Sequence, residues 1–469
     1  MRYIFRLGLL GLVACSDSGK KSVDSSSDSV ITDTDQDTGI ISLSGCNAEL
    51  TSVDAILNDE SWEVGSFVGS FSDEGFLIGY DEHPDQVVVQ TDSNWIATDF
   101  GSLDVVDNQG SFDMSYNEIG NCSLPVIDDV FAARDAVLME GHFSDHSVYC
   151  QNVSFELFLC PETEKRLHFS LDLLSANPIF NPSRTTIRLQ STSEERIFGM
   201  GEQFPHTSMN LKGRLIPVLS QEGGVGRGHS VISPLINQFS SGSGGSEDST
   251  YYAMPHYLTD KLKSIFLTNT EYSEFDFREE DVISITVYAD SMGGEFLFGS
   301  SPLELISTFT EYAGRMPAPP DWVDNGAIVA LARPLDESRQ IIRTLLNAGT
   351  QISGIWNQTW SGVNRTFIGE QVLWNWEQGE FDHPEWHEWV DELNAQNINT
   401  LCYVNSMFLD VTGHESNPDR NLFQEGVEGD YFVHSEDGDV LEIRVTAFDV
   451  ALLDLTNPDA RTWMKSIIQ

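Results

Sequence analysis

The apolar periodicity of the chain changes at Pro317-Ala318-Pro319-Pro320, and this change constrains the fold more than any other feature. Before it, apolar residues recur at every second position: Leu167, Phe169, Leu171 and Leu173, then Ile187 and Leu189, then Ile265 and Leu267, then Ile283, Ile285 and Val287. Side chains on a strand point to opposite faces in turn, so short alternating runs broken by turn residues predict an antiparallel β-sandwich. A helix over Leu303 to Tyr312 closes this part, and the Ser/Gly run Ser240 to Ser246 reads as a surface loop insertion. After the prolines, strands alternate with helices. Gly326 to Leu331, Ile352 to Trp356 and Ile398 to Val404 read as strands, and Asp336 to Asn347 as a helix. Asp382 to Gln396 reads as a second helix, with Asp382 as N-cap and Pro384 near its first turn. A short strand is expected over Ala451 to Leu455, with a last helix from Pro458.

Alternation of strand and helix predicts a parallel sheet. The predicted class is therefore multidomain β and α/β: an antiparallel β-sandwich over residues 45–319, then the first part of a (β/α)₈ barrel over residues 320–469. Such a barrel takes about 250 residues. Residues 320–469 hold about three repeats, so the chain is expected to be a fragment of a longer protein.

The N-terminus has the pattern of an exported protein. Arg2 and Arg6 precede a short apolar run, Leu7 to Ala14, too short to span a bilayer and fitting a signal h-region. Leu12-Val13-Ala14-Cys15 is similar to the lipobox of bacterial lipoproteins. That likeness implies a signal peptide over residues 1–15, lipidation of Cys15 and a membrane-anchored location, periplasmic or at the cell surface. An ordinary signal peptide with an incidental cysteine is the alternative. Residues 16–44 are rich in Ser, Asp and Thr and contain no aromatic residue, so they read as a disordered tether. Cys46, Cys122, Cys150 and Cys160 are expected to form one or two disulfides of open connectivity, and Cys402 to be a buried free thiol.

The formal net charge is −48, from 73 acidic and 25 basic residues. A chain so charged repels nucleic acid and anionic surfaces. The carboxylates are spread along the sequence, which points to a solvated, salt-tolerant surface.

Trp356, Trp360, Trp374 and Trp376 fall within 21 residues, beside the polar Asn357, Gln358, Thr359, Ser361 and Asn375. Indole faces stack on the C–H groups of a pyranose while amides fix its hydroxyls, so the cluster predicts a sugar cleft. The alternative is that the four fill a core. His383 and His387 stand four apart on the predicted helix, but no third ligand is nearby, and an exposed helix face is expected instead of a metal site.

Three segments carry a family likeness: Phe198-Gly-Met-Gly-Glu-Gln203, Gly223-Gly-Val-Gly-Arg227, and Gly354-Ile-Trp-Asn-Gln-Thr-Trp-Ser-Gly362. With Leu373-Trp-Asn-Trp376, Tyr403-Val-Asn405 and Asp454-Leu-Thr-Asn-Pro458, they resemble glycoside hydrolase family 31, and within it the sulfoquinovosidase branch. The resemblance implies retaining hydrolysis of α-glycosides by two carboxylates about 5 Å apart. It places both beyond Gln469, so the chain alone is expected to be inactive, and it matches Asp454 to a non-catalytic loop or cap residue. No cofactor or metal is expected; the expected partner is a carbohydrate. Substrate contacts are implied for Gln358, Trp360 and Trp374, and for the loop residues Gln203 and Arg227. Gln371 departs from the branch, which carries there an Arg that pairs with the sulfonate; Thr359 replaces an Asp and Ala332 a Gln. An amide supplies neither charge nor bidentate geometry. Arg333, at the end of the first strand, is a candidate replacement cation or else a surface arginine. A neutral-sugar α-glucosidase or α-xylosidase, and a non-catalytic sugar-binding surface lipoprotein, are the alternative functions.

Overall fold

A computed structural model describes residues 41–42, 49–50 and 61–468, apart from 73–74, 109, 134, 177–179, 240, 368, 436 and 446. Cys15, Cys46 and nearly all of the tether lie outside the described residues. No helix among them is long and apolar enough to cross a membrane. The chain divides into two compact units, one of them Ser18–Arg315 and the other holding Met316–Gln469.

The first unit contains an eight-stranded and a nine-stranded antiparallel sheet. Leu171 pairs with Leu157 and Met292 in one sheet; Ile187 pairs with Ile285 and Ile96 in the other. These residues share one core cluster with Phe67, Phe100, Phe155 and Phe275, so the period-two pattern buries one face of each sheet against the other. Cys122 and Cys150 form a disulfide, and Cys160 is disulfide-bonded as well. The helix Pro302–Ala313 starts at Ser301, whose hydroxyl accepts from Glu304 N at 3.3 Å. Glu304 also pairs with Lys165.

The Ser/Gly run is more than a surface insertion. Ser243, Gly244 and Gly245 accept backbone hydrogen bonds from Val225, Gly226 and Gly228. The two loops approach so closely that a Cβ on Gly224, at φ +67°, would lie 2.3 Å from Gly245 N. Glycine on both sides permits this contact, which composition alone reads as slack.

In the second unit the elements are β1 (Ala327–Leu331), α1 (Leu335–Asn347), β2 (Ile352–Asn357), β3 (Val363–Thr366), β4 (Gly369–Val372), α2 (Trp386–Asn394), β5 (Asn399–Cys402), β6 (Met407–Phe408), α3 (Leu422–Glu428), β7 (Glu442–Val445), β8 (Phe448–Leu452) and α4 (Pro458–Ile468). β1, β2 and β5 form a parallel sheet with β2 in the middle. Leu331 and Ile355 share a core with Leu335 and Ile342 of α1 and Trp386, Trp389 and Leu393 of α2. The other face carries Ile328, Ala330, Trp356 and Leu401, of which Ile328 is 41% exposed.

Three expectations change here. The strand near residue 451 is Phe448–Leu452, and it pairs antiparallel with β6 and β7 in a sheet of its own. The second helix begins at Trp386, not Asp382. Asp382 is drawn away, accepting from Val363 N at 2.9 Å and pairing with Arg365 at 2.9 Å, and Glu385 takes a left-handed φ of 61° that breaks the helix. Cys402 is a free thiol, but it is exposed.

Candidate sugar-binding site

The carboxyl ends of parallel strands are where α/β folds place ligands, because the loops there are free of packing duties. β1 ends at Leu331, whose carbonyl accepts from Gln358 N at 3.1 Å. This bond sets the first residue after β2 beside the exit of β1, where Arg333 is exposed and makes no ion pair among the described residues. Gln358 itself is half-buried.

The turn that follows is tightly specified. Asn357, fully buried, accepts from Thr359 N at 2.9 Å and from Thr359 Oγ1 at 3.3 Å. Its Nδ2 is buried without a partner among the described residues. Trp360, half-buried, donates Nε1 to the carbonyl of Tyr403 beyond β5 at 2.7 Å. Ser361 Oγ donates to Leu373 O at 2.7 Å, and Leu373 N to Gly362 O at 3.0 Å. The loop after β2 is thereby tied to the exits of β1 and β5 and to the chain after β4.

The four tryptophans divide into two kinds. Trp374 and Trp376 belong to a core cluster with Phe408, Phe432 and Val450. Trp376 is 2% exposed, donates Nε1 to Met407 O at 3.0 Å and sets its edge against Tyr403. Trp374 is 8% exposed and meets Phe448 edge-on at 5.4 Å. Trp356 and Trp360 keep more of their surface open. Trp356 and Trp360 also pack against that cluster, so core filling accounts fully for two of the four and in part for the other two. Gln371, half-buried on β4, pairs with Asn364 across the β3–β4 hairpin.

Asp454 accepts from Thr456 N at 2.9 Å and Thr456 Oγ1 at 2.6 Å ahead of α4. These bonds hold its carboxyl below the usual carboxylate range, which suits a capping group and not a proton donor. Among the described residues no group of three or more His, Cys, Asp or Glu is placed to hold a metal ion.

Gln203 and Arg227 lie together in the first unit. The Arg227 guanidinium stands 3.5 Å over the ring of Phe204, next to Gln203 in the chain. Arg227 Nη1 and Gln203 Oε1 are both buried without a partner among the described residues. Nearby, Tyr251 donates to Glu222 at 2.8 Å, and burial raises the Glu222 carboxyl.

Two residues that the sequence singled out have roles at the site that it did not indicate. Asn375, 1% exposed, donates to Arg420 O at 3.0 Å and accepts from Leu422 N at 2.9 Å, which anchors the start of α3. His383 is not on an exposed helix face. It is 1% exposed and contacts Thr359 O at 2.6 Å. The predicted helix Asp382 to Gln396 included it, and the proline that follows it was the one signal against a helical conformation there.

Residues 317–469 match the sequence model of the glycosyl hydrolases family 31 TIM-barrel domain. The C-terminal unit therefore belongs to glycosyl hydrolases family 31. The sulfoquinovosidase of Escherichia coli is 26% identical over 357 residues, covering 75% of this chain and 50% of that protein. The sulfoquinovosidase of Agrobacterium fabrum is 30% identical over 315 residues, covering 66% of this chain and 46% of that protein. The chain spans about half the length of these curated relatives. The structure of a family 31 sulfoquinovosidase from E. rectale, in complex with an aza-sugar inhibitor, superposes with a TM-score of 0.71 at 25% identity, over 88% of this chain and 56% of that one.

Proposed function

We propose that the protein is a retaining α-glycoside hydrolase of the sulfoquinovosidase-like kind, and that this chain supplies sugar-binding residues of its cleft. The observation that carries the reading is the pairing of an amide, Gln358, with an indole, Trp360, on one ordered turn at the carboxyl end of a parallel strand. The family match and the sulfoquinovosidase relatives support it. Retaining hydrolysis needs a carboxylate nucleophile and a second carboxyl as acid and then base. No residue of the chain is assigned to either role. Trp374 would meet the sugar through its small exposed edge. Arg333 would supply the cation for an anionic sugar. Cys15 would carry a lipid anchor on an exported bacterial protein.

Gln371 favours a second reading, a neutral substrate such as an α-glucoside or α-xyloside, because an amide cannot pair with a sulfonate as a guanidinium does. One titration series separates the two. Binding of methyl α-sulfoquinovoside, methyl α-glucoside and methyl α-xyloside is measured by calorimetry, with hydrolysis of the nitrophenyl counterparts followed in the same preparations. At least one methyl glycoside should bind, with a loss of about tenfold or more, some 1.4 kcal/mol, in Gln358→Ala. Arg333→Ala should weaken only the sulfonated ligand. Failure of all three glycosides to bind would sink the reading.

A further inference from the structure

The loop that carries Gln358 and Trp360 is gripped by a strap, residues 378–383, that lies between the β3–β4 hairpin and α2. The strap touches the loop three times. Gly379 N donates to Trp360 O at 3.1 Å, Asp382 accepts from Val363 N at 2.9 Å, and His383 Nε2 lies 2.6 Å from Thr359 O. A carbonyl only accepts, so Nε2 carries the proton and Nδ1 is bare in the neutral ring. Burial disfavours the charged ring, which agrees with that assignment. The approach is close: a Cβ on Gly379 would stand 2.8 Å from Gly362 N and from the Ser361 carbonyl.

His383 is itself held. Its backbone N donates to Gly379 O at 2.8 Å, its carbonyl accepts from Gln378 Nε2 at 3.1 Å, and its ring lies 5.8 Å from that of Trp386. On the other side of the loop, Asn357 binds Thr359 N, and Tyr403 O holds the Trp360 indole. The Thr359 carbonyl belongs to the peptide that joins Thr359 to Trp360, and Gln358 precedes it on the same turn, so its orientation bears directly on Trp360 and through the turn on Gln358.

We propose that His383 is a positioning residue for the sugar-binding loop, fixing the Thr359 carbonyl so that Gln358 and Trp360 face a ligand together. This rests on the reading of that loop as a sugar site. His383 acts through the loop and needs no contact with sugar. Its hydrogen bond adds alignment: without it, the Thr359 peptide keeps only the Gly362 N bond to its carbonyl, at 2.9 Å, and can rotate.

The test uses ¹⁵N-labelled protein, with the Trp360 indole resonance assigned by its loss in Trp360→Phe. His383→Phe keeps a ring but removes the donor. His383→Gln places an amide N–H close to where Nε2 stood, and His383→Asn is too short to reach. The Phe and Asn variants should lose about tenfold or more in affinity for whichever methyl glycoside the wild type binds, and should shift the Trp360 resonance. The Gln variant should restore both, while all three melt within a few degrees of one another. Wild-type affinity in His383→Phe, an unmoved Trp360 resonance, or a folded Gln variant that restores neither property would overturn the proposal. Should His383→Phe not fold, the Asn and Gln pair decides. If the wild type binds no glycoside, the sugar-site reading falls, and the positioning role stands or falls on the Trp360 resonance alone.

Discussion

His256 shows how one side chain couples stability to pH. It is 6% exposed, stacks on Phe309 at 4.0 Å between ring centroids, and its Nε2 lies 3.0 Å from Ser264 Oγ. Ser264 Oγ donates to Tyr257 O, so the imidazole is the donor to Ser264. Burial lowers its pKa from 6.5 to about 4. The unfolded chain then takes the proton first as pH falls. Stability is insensitive to this group above about 6.5 and declines between 6.5 and about 4, by about 3 kcal/mol across the window. Carboxylates titrate nearby in pH, so the measurement is a difference: urea midpoints of the wild type and His256→Gln from pH 7 to pH 4.5. The wild type should lose more than the variant. Parallel curves would show that His256 is not the group. At this scale the tryptophans were only half legible. An indole suits a core and a sugar face equally, and only the packing of Trp374 and Trp376 against Phe448 and Tyr403 separates the two uses.

Among the elements, the loops were hardest to read. Period-two and 3.6-residue patterns located the sandwich strands and α1 because burial repeats with backbone geometry. No such repeat marks the backbone contact between residues 225–228 and 243–245, which depends on glycine in both segments. Gly224→Ala should therefore cost about 2–3 kcal/mol, since the residue is at φ +67° and its new Cβ would strike backbone at 2.3 Å. Thermal melts with limited proteolysis across residues 240–246 check this; an unchanged melting point and cleavage pattern would show that the two loops do not depend on each other. The start of α2 misled for a different reason. Asp382 is a good N-cap by type, yet the β3–β4 hairpin offers it a backbone N–H and the Arg365 guanidinium, and these tertiary partners outweigh a local cap.

Taken whole, the molecule is dominated by its charge. With 73 acidic and 25 basic residues, repulsion among surface carboxylates opposes the compact state. Raising ionic strength from about 0.1 M to about 1 M shortens the screening length from about 10 Å to about 3 Å. Sodium chloride should thus raise the melting temperature by several degrees. Loss of exposed pairs such as Arg444–Asp449 works the other way, but such pairs contribute about 1 kcal/mol or less each. A melting temperature that is flat or falls with salt would refute the charge argument.

What the amino-acid order determined unaided was the periodic part: two sheets of alternating burial, a boundary at the prolines, and strand–helix repeats after it, because a pattern of apolar residues is burial written along the chain. What only the tertiary structure decided was which polar and aromatic groups meet. His383 reaches Thr359 across 24 residues and Trp360 reaches Tyr403 across 43. Hydrogen bonds over such separations leave no periodic trace, since they depend on where folded elements bring their ends and not on the spacing of residues between them.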